Sequence, residues 1–245
     1  MKCIILAAGY ATRLYPLTEN FPKPLLKVGD KTILDHLIDD VETSGEIDEY
    51  IVVSNHKFYN IFCEWAEKKS DKIRVVDDLT ESNETRLGAV CDIQFALDTI
   101  NTPSDVLVLA GDNVLDFSLV KFINYAKEKK ASSIMRYFEE EEKRLLKSGV
   151  VTLEEGSERV VRMTEKSPTP ETHWCTPPFY YYTKEDAALV KVAIENGCNT
   201  DAPGSFISWL CEKSPVFAML MPGKRFDIGN LESYEKVKAE YKGIL

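Results

Sequence analysis

The stretch Ala7-Ala8-Gly9-Tyr10-Ala11-Thr12-Arg13 directly follows an apolar run, Lys2–Leu6, and precedes Pro22-Lys23-Pro24. Its chemistry is that of phosphate binding. Small side chains at Ala7, Ala8, Gly9 and Ala11 let backbone N–H groups close on phosphate oxygens. Arg13 offers a planar fork for pairs of such oxygens. Lys23, held between two prolines, offers a compact charge on a backbone with little freedom. A P-loop would end in Gly-Lys-Ser/Thr and a dinucleotide fingerprint would carry three spaced glycines; neither is present. The alternative is an ordinary Pro-rich surface loop, and the coincidence of small residues, Arg13 and Pro-Lys-Pro argues against it. Further along, Val106–Ala110 runs into Gly111-Asp112-Asn113. A carboxylate at the end of a buried strand is placed to hold a metal, and Mg2+ takes one or two carboxylates plus phosphates and water. The competing reading of Asp112 is a turn aspartate that caps the next helix.

Short apolar runs alternate with helical spacing through the first half and must position these groups. Strands are predicted at Lys2–Leu6, Tyr50–Val53, Ile73–Val76 and Val106–Ala110. Helices are predicted at Ile33–Val41, Asn60–Lys69, Leu87–Ile100 and Leu119–Lys129. This order implies an α/β fold, a mostly parallel sheet flanked by helices, with ligands held at the carboxyl ends of the strands. Past residue 131 the rhythm changes. Ser132–Phe138, Gly149–Leu153, Val160–Thr164, Phe179–Tyr182 and Val216–Met221 read as strands; Lys184–Glu195, Ser205–Cys211 and Leu231–Tyr241 read as helices. Residues 1–245 are read as one domain in two halves, 1–130 binding one reactant and 131–245 binding the other, with a small substrate-binding subdomain. The run Glu139–Glu142 reads as a solvated helical face.

Composition narrows the function classes. The 245 residues carry a formal net charge of -10, which repels nucleic acid and anionic membrane. Bound phosphates then require local Arg and Lys plus a metal. Hydrophobic residues make up 44% of the chain, enough for a sizeable core. The six cysteines form no CxxC pair and read as buried reduced thiols. No stretch is long and apolar enough for a membrane span or a signal peptide, so a cytoplasmic location is expected.

The first motif, read through Leu14-Tyr15-Pro16-Leu17-Thr18 and Pro22-Lys23-Pro24-Leu25-Leu26, resembles the signature of the sugar nucleotidylyltransferases, which include glucose-1-phosphate thymidylyltransferase. The resemblance implies a Rossmann-like fold of the nucleotide-diphospho-sugar transferase type. It also implies Mg2+-dependent transfer of a nucleotidyl group from a nucleoside triphosphate to a sugar 1-phosphate, with release of pyrophosphate. Leu6, Ala7, Ala8, Gly9, Tyr10, Ala11, Thr12 and Arg13, with Lys23, would hold the triphosphate; Arg13, Lys23 and Asp112 would be catalytic. Asp112 would bind the metal together with Asp227, in Arg225-Phe226-Asp227-Ile228-Gly229. Asn83 and Gly88 match the positions that read the base, although Asn83 also reads as a plain loop residue. Gly149, Glu165, Lys166 and Tyr180 match the acceptor side. The family often forms dimers or tetramers, so a homo-oligomer is among the expected assemblies.

Two departures stand out. Ala11 replaces the family's glycine, which is tolerable if the backbone keeps φ negative. Pro178 replaces a glycine before the aromatic run Phe179-Tyr180-Tyr181-Tyr182, with Trp174 just upstream. Those aromatics are either core packing or a cage for a cationic headgroup. The second option makes a cytidylyltransferase acting on phosphocholine, or on another non-sugar phosphate, the alternative within the enzyme class. A non-catalytic nucleotide-sugar-binding module is the alternative outside it.

Overall fold

The computed structural model describes residues 1–244. Along the chain lie β1 (Lys2–Leu6), β2 (Lys27–Val28), β3 (Lys31–Thr32), α1 (Ile33–Glu42), β4 (Glu49–Ser54), α2 (Tyr59–Lys69), β5 (Ile73–Asp77), α3 (Ala89–Asp98), β6 (Val106–Ala110), β7 (Asn113–Leu115) and α4 (Val120–Lys129). Then come β8 (Ser132–Phe138), α5 (Glu142–Leu145), β9 (Gly149–Leu153), β10 (Val160–Glu165), β11 (Trp174–Thr176), β12 (Phe179–Tyr182), α6 (Lys184–Ala187), α7 (Val190–Glu195), α8 (Gly204–Leu210), β13 (Val216–Leu220), β14 (Arg225–Asp227) and α9 (Leu231–Glu240).

The chain forms two compact units of similar length. The first holds Met1–Arg86, Ala110–Val120 and Pro222–Leu245; the second holds Leu87–Leu109 and Lys121–Met221. The units are interleaved along the chain rather than divided at residue 130.

In the first unit, β1, β4 and β5 pair in parallel, with Ile4 opposite Ile51 and Val52 opposite Val75. Cys3, Ile4 and Ile5, and Ile51, Val52 and Val53, are all fully buried. A strand buried on both faces has no need of alternation, which is why these runs are continuously apolar. Helix α1 starts at a capping box, in which Thr32 and Asp35 exchange side-chain and backbone hydrogen bonds. It buries Ile33, Leu34, Leu37, Ile38 and Val41. The C-terminal segment returns to this unit: β14 pairs antiparallel with β7. A cluster of Leu14, Val28, Ile33, Val114, Ile228, Tyr234 and Val237 packs α9 beneath the first loop, and the Tyr234 hydroxyl donates to the Lys27 carbonyl at 2.7 Å.

The second unit is mixed. β12 pairs antiparallel with β6 and β8, β8 pairs in parallel with β13, and β9, β10 and β11 form an antiparallel extension. Helix α3 starts at Ala89, not at Leu87, because Gly88 has φ 93 and cannot lie inside a helix. The helix expected over Lys184–Glu195 is split into α6 and α7. Within Glu139–Glu142 only Glu142 is helical, although the run is largely solvated. β7, β11 and β14 were not foreseen, since three residues are too few to show a period. All six cysteines are free thiols; Cys3 and Cys175 are buried and the others half-buried. No described helix is long and apolar enough to cross a membrane.

Candidate functional site

In the first unit the loop after β1 turns over the strand ends. Ala7 and Ala8 are buried, while Gly9, Thr12 and Arg13 are exposed. A methyl group built on Gly9 would meet nothing within 4 Å, so the face before this backbone is open to a ligand. Arg13 has no ion-pair or hydrogen-bond partner among the described residues, which leaves its fork for an anion. Ala11 corrects an expectation. Its backbone is left-handed, at φ 48 and ψ 39, so the methyl group is carried in a conformation that favours glycine. The loop holds it there because the Ala11 carbonyl accepts from Leu14 N at 3.0 Å and from Thr18 Oγ1 at 2.8 Å. Tyr10 is turned inward, its hydroxyl donating to the Thr80 carbonyl at 2.8 Å. Its side chain thus ties loop to loop.

Lys23 lies in a single turn of 3-10 helix and is only 7% exposed. Its Nζ donates to Asp112 Oδ2 at 2.9 Å. Gly111 allows this approach: its N donates to the Leu6 carbonyl at 3.0 Å, and a methyl group there would lie 3.2 Å from that oxygen. The other Asp112 oxygen accepts from Asn113 Nδ2, and Asn113 Oδ1 accepts from Arg225 Nη1 at 2.8 Å. Burial alone would raise the Asp112 pKa, but the charge and hydrogen bond of Lys23 and the charge of Arg225 outweigh it and hold the carboxyl below its usual range. Asp227 stands opposite Asn113 in the β14–β7 ladder, and Ile228 N reaches the Asp112 carbonyl at 3.4 Å. Asp112 and Asp227 are thus neighbours on one small sheet, and Asp227 is exposed. No cluster of three or more metal-ligating side chains exists among the described residues. Two hard oxygen donors fit a divalent cation that completes its shell with phosphate and water.

In the second unit Glu165 ends β10 and pairs in register with Gly149, and its carboxylate accepts no hydrogen bond among the described residues. Its carboxylate fills space that only glycines leave. A methyl group on Gly204 would lie 1.8 Å from Glu165 Oε1, and one on Gly149 would lie 2.9 Å from it and 2.7 Å from Thr176 Oγ1. Burial pushes the Glu165 pKa up to about 7, with Lys166 opposing and Asp201 adding. Lys166 has a left-handed backbone, φ 49, and its Nζ donates to Asp201 Oδ2 at 3.0 Å. Tyr180 is 2% exposed and stacks on Tyr182 at 6.0 Å, so this strand is core. The Trp174 face already carries a cation, the Arg136 guanidinium at 4.7 Å.

Of the two residues expected to read the base, Asn83 is exposed in a turn of the first unit. Gly88 is needed for the backbone: besides its positive φ, a methyl group there would lie 2.5 Å from the Thr200 carbonyl. Residues missed from the sequence are Asn113, Arg225, Asp201 and Gly204. Only Arg225 and Asn113 had a signal, as neighbours of the two aspartates.

The family model described as "Nucleotidyl transferase" matches residues 2–243. The chain belongs to the nucleotidyl transferase family. Similar members include mannose-1-phosphate guanylyltransferase 1 of Arabidopsis thaliana, 28% identical over 96% of this chain and 63% of that protein. The bifunctional protein GlmU of Methanococcus vannielii is 35% identical over 51% of this chain and 28% of its own. The chain spans less than two thirds of the length of these relatives. A UDP-glucose pyrophosphorylase solved with UDP-glucose shares the fold, with a TM-score of 0.79 and 18% identity over 98% of this chain and 97% of that one.

Proposed function

We propose that this protein transfers a nucleotidyl group from a nucleoside triphosphate to a sugar 1-phosphate and releases pyrophosphate. The observation that carries the reading is the open, Arg13-bearing loop beside the wired Lys23–Asp112–Asn113–Arg225 chain, with Asp227 next to it. A phosphate oxygen of the acceptor attacks the α-phosphorus, and the bond to the β-phosphate oxygen breaks as pyrophosphate leaves. The acceptor phosphate is already ionised, so the residues need only position the reactants and offset their charges. Leu6 to Arg13 cradle the triphosphate, and Arg13 meets charge that grows on the leaving pyrophosphate. Lys23 offsets phosphate charge near the reacting centre. Asp112 and Asp227 would hold Mg2+, which supplies positive charge against phosphate oxygens when bound. Lys166 takes the acceptor phosphate and Glu165 its hydroxyls.

The relatives named mannose-1-phosphate guanylyltransferases support a sugar 1-phosphate over phosphocholine. So do the buried Tyr180 and the Arg136-covered Trp174, neither of which is free to enclose a cationic headgroup. Pyrophosphate release is measured with Mg2+ across several nucleoside triphosphates and a panel of sugar 1-phosphates plus phosphocholine. Release with a sugar 1-phosphate is expected. Release with phosphocholine alone overturns the acceptor, and triphosphate binding without release in any mixture overturns the enzyme.

A further inference from the structure

Asp78 follows β5 in the first unit, with its backbone N donating to the Ser54 carbonyl at 2.8 Å. It is 5% exposed. Oδ1 accepts from both Thr80 N and Thr80 Oγ1, each at 2.7 Å, which fixes the carboxyl plane. Oδ2 is buried and has no hydrogen-bond partner among the described residues. A buried carboxylate oxygen without a donor is costly, and proteins rarely keep one that nothing ever satisfies. Burial accordingly raises the Asp78 pKa, against the two bonds from Thr80.

The surroundings tie this group to the nucleotide loop. The Thr80 carbonyl accepts the Tyr10 hydroxyl at 2.8 Å and His56 N at 3.0 Å, and Asn55 Nδ2 donates to the Ala8 carbonyl at 2.9 Å. Neighbouring Asp77 is already engaged, with His56 Nδ1 at 2.6 Å from its Oδ2. The bend that carries Asp78 is strained: Leu79 has φ 64 and leaves 71% of its surface exposed. A bulky residue held left-handed stores strain that a bound ligand can release when the bend yields to admit it.

We propose that Asp78, and not Asn83, reads the nucleobase, and that the base it selects is guanine. The inference rests on the nucleotidyltransferase reading and deepens it. An ionised carboxylate only accepts hydrogen bonds. Guanine is the base whose Watson–Crick edge sets two donors, N1–H and the 2-amino group, side by side, and Oδ2 has both lone pairs to take them. Uracil and thymine offer one N–H flanked by two carbonyl oxygens, which a carboxylate repels. Adenine and cytosine place a ring acceptor beside their amino group, with the same result. Thr80 holds Oδ1, so the carboxyl cannot rotate to suit another pattern.

Direct binding of GTP, ITP, UTP and dTTP, each with Mg2+, is measured by calorimetry on the wild type, Asp78→Asn and Asn83→Ala. ITP lacks the 2-amino group. In the wild type GTP is expected to bind about 10-fold tighter than ITP and about 100-fold tighter than UTP or dTTP, as a paired donor set predicts. Asp78→Asn keeps the oxygen that accepts from Thr80, and is expected to bring the GTP to ITP ratio near one. Asn83→Ala is expected to leave that ratio unchanged. Equal wild-type affinity for GTP and ITP, an unchanged ratio in Asp78→Asn, a collapsed ratio in Asn83→Ala, or no triphosphate binding at all each overturns the proposal. The wild-type comparison needs no variant to fold. Selective GTP binding without pyrophosphate release from any mixture sinks the transferase reading and leaves the base assignment standing.

Discussion

The two candidate regions treat their polar groups in opposite ways. In the first unit Lys23, Asp112, Asn113 and Arg225 satisfy one another in a chain of hydrogen bonds, while Arg13 and Asp227 beside them are exposed with no partner among the described residues. In the second, Glu165 sits against two glycines with no hydrogen bond of its own. A saturated network costs little to keep and is oriented before any ligand arrives, which suits groups that must meet charge at the reacting centre. A half-buried carboxylate without a protein donor is partly stripped of water, and a ligand hydroxyl that donates to it offsets that loss. Under the proposed function the contrast gives rigidity to the groups at the reacting centre and avidity for hydroxyl donors to the acceptor side.

The sharpest break of this contrast lies within the first unit. Arg13→Ala and Asp112→Ala are each expected to lower pyrophosphate release at least ~100-fold, as loss of a preorganised electrostatic contact does. Their melting temperatures should differ. Arg13 is exposed and unpaired, so its loss leaves stability unchanged, whereas Asp112→Ala strands the buried Lys23 and costs about 1–3 kcal/mol. Equal melting points for the two variants would contradict the wired-network view.

Gly204→Ala tests the other side. Its methyl group would overlap Glu165 Oε1 at 1.8 Å and Met163 Cε at 2.5 Å, so Glu165 must move. A rise of about 10-fold or more in acceptor KM is expected, with triphosphate affinity unchanged. Steady-state kinetics and a nucleotide titration separate the two.

Glu165 also makes a pH prediction. Its folded pKa of about 7 lies above the ordinary 4.5, so the folded state binds the extra proton between those values. Its penalty on stability is absent below pH 4.5, grows as pH rises through this window, and is complete above 7. Glu165→Gln removes the penalty, so the variant should gain stability relative to wild type as pH rises from 5 to 8. Thermal melts at both ends check the sign.

The smallest effect is expected at Ala11. Ala11→Gly relieves a left-handed alanine, φ 48, and should stabilise by about 1 kcal/mol, or roughly 2–4 °C for a chain of this size. A lower melting temperature would show that chain entropy outweighs the strain.

The α/β order, every strand of the parallel part and the small-residue loop after β1 were legible in the sequence. Each depends on neighbours in the chain: continuous apolar runs, small residues in a row, a lysine between prolines. Asp112 was legible as a carboxylate at a strand end, but its partner Asp227 only as a resemblance, because their meeting requires β7 and β14 to pair across nearly half the chain. The aromatic run Phe179–Tyr182 left core and cage equally open, since composition does not say which face is covered; β12, paired on both edges, makes it core. The sign of φ at Ala11, the pairing of Lys166 with Asp201, the carboxylate against Gly149 and Gly204, and the orphan oxygen of Asp78 were decided by the tertiary structure alone. The physical reason is common to all four. Local sequence sets which conformations and charges are available, while burial and long-range hydrogen bonds decide which of them are strained, paired or left for a ligand.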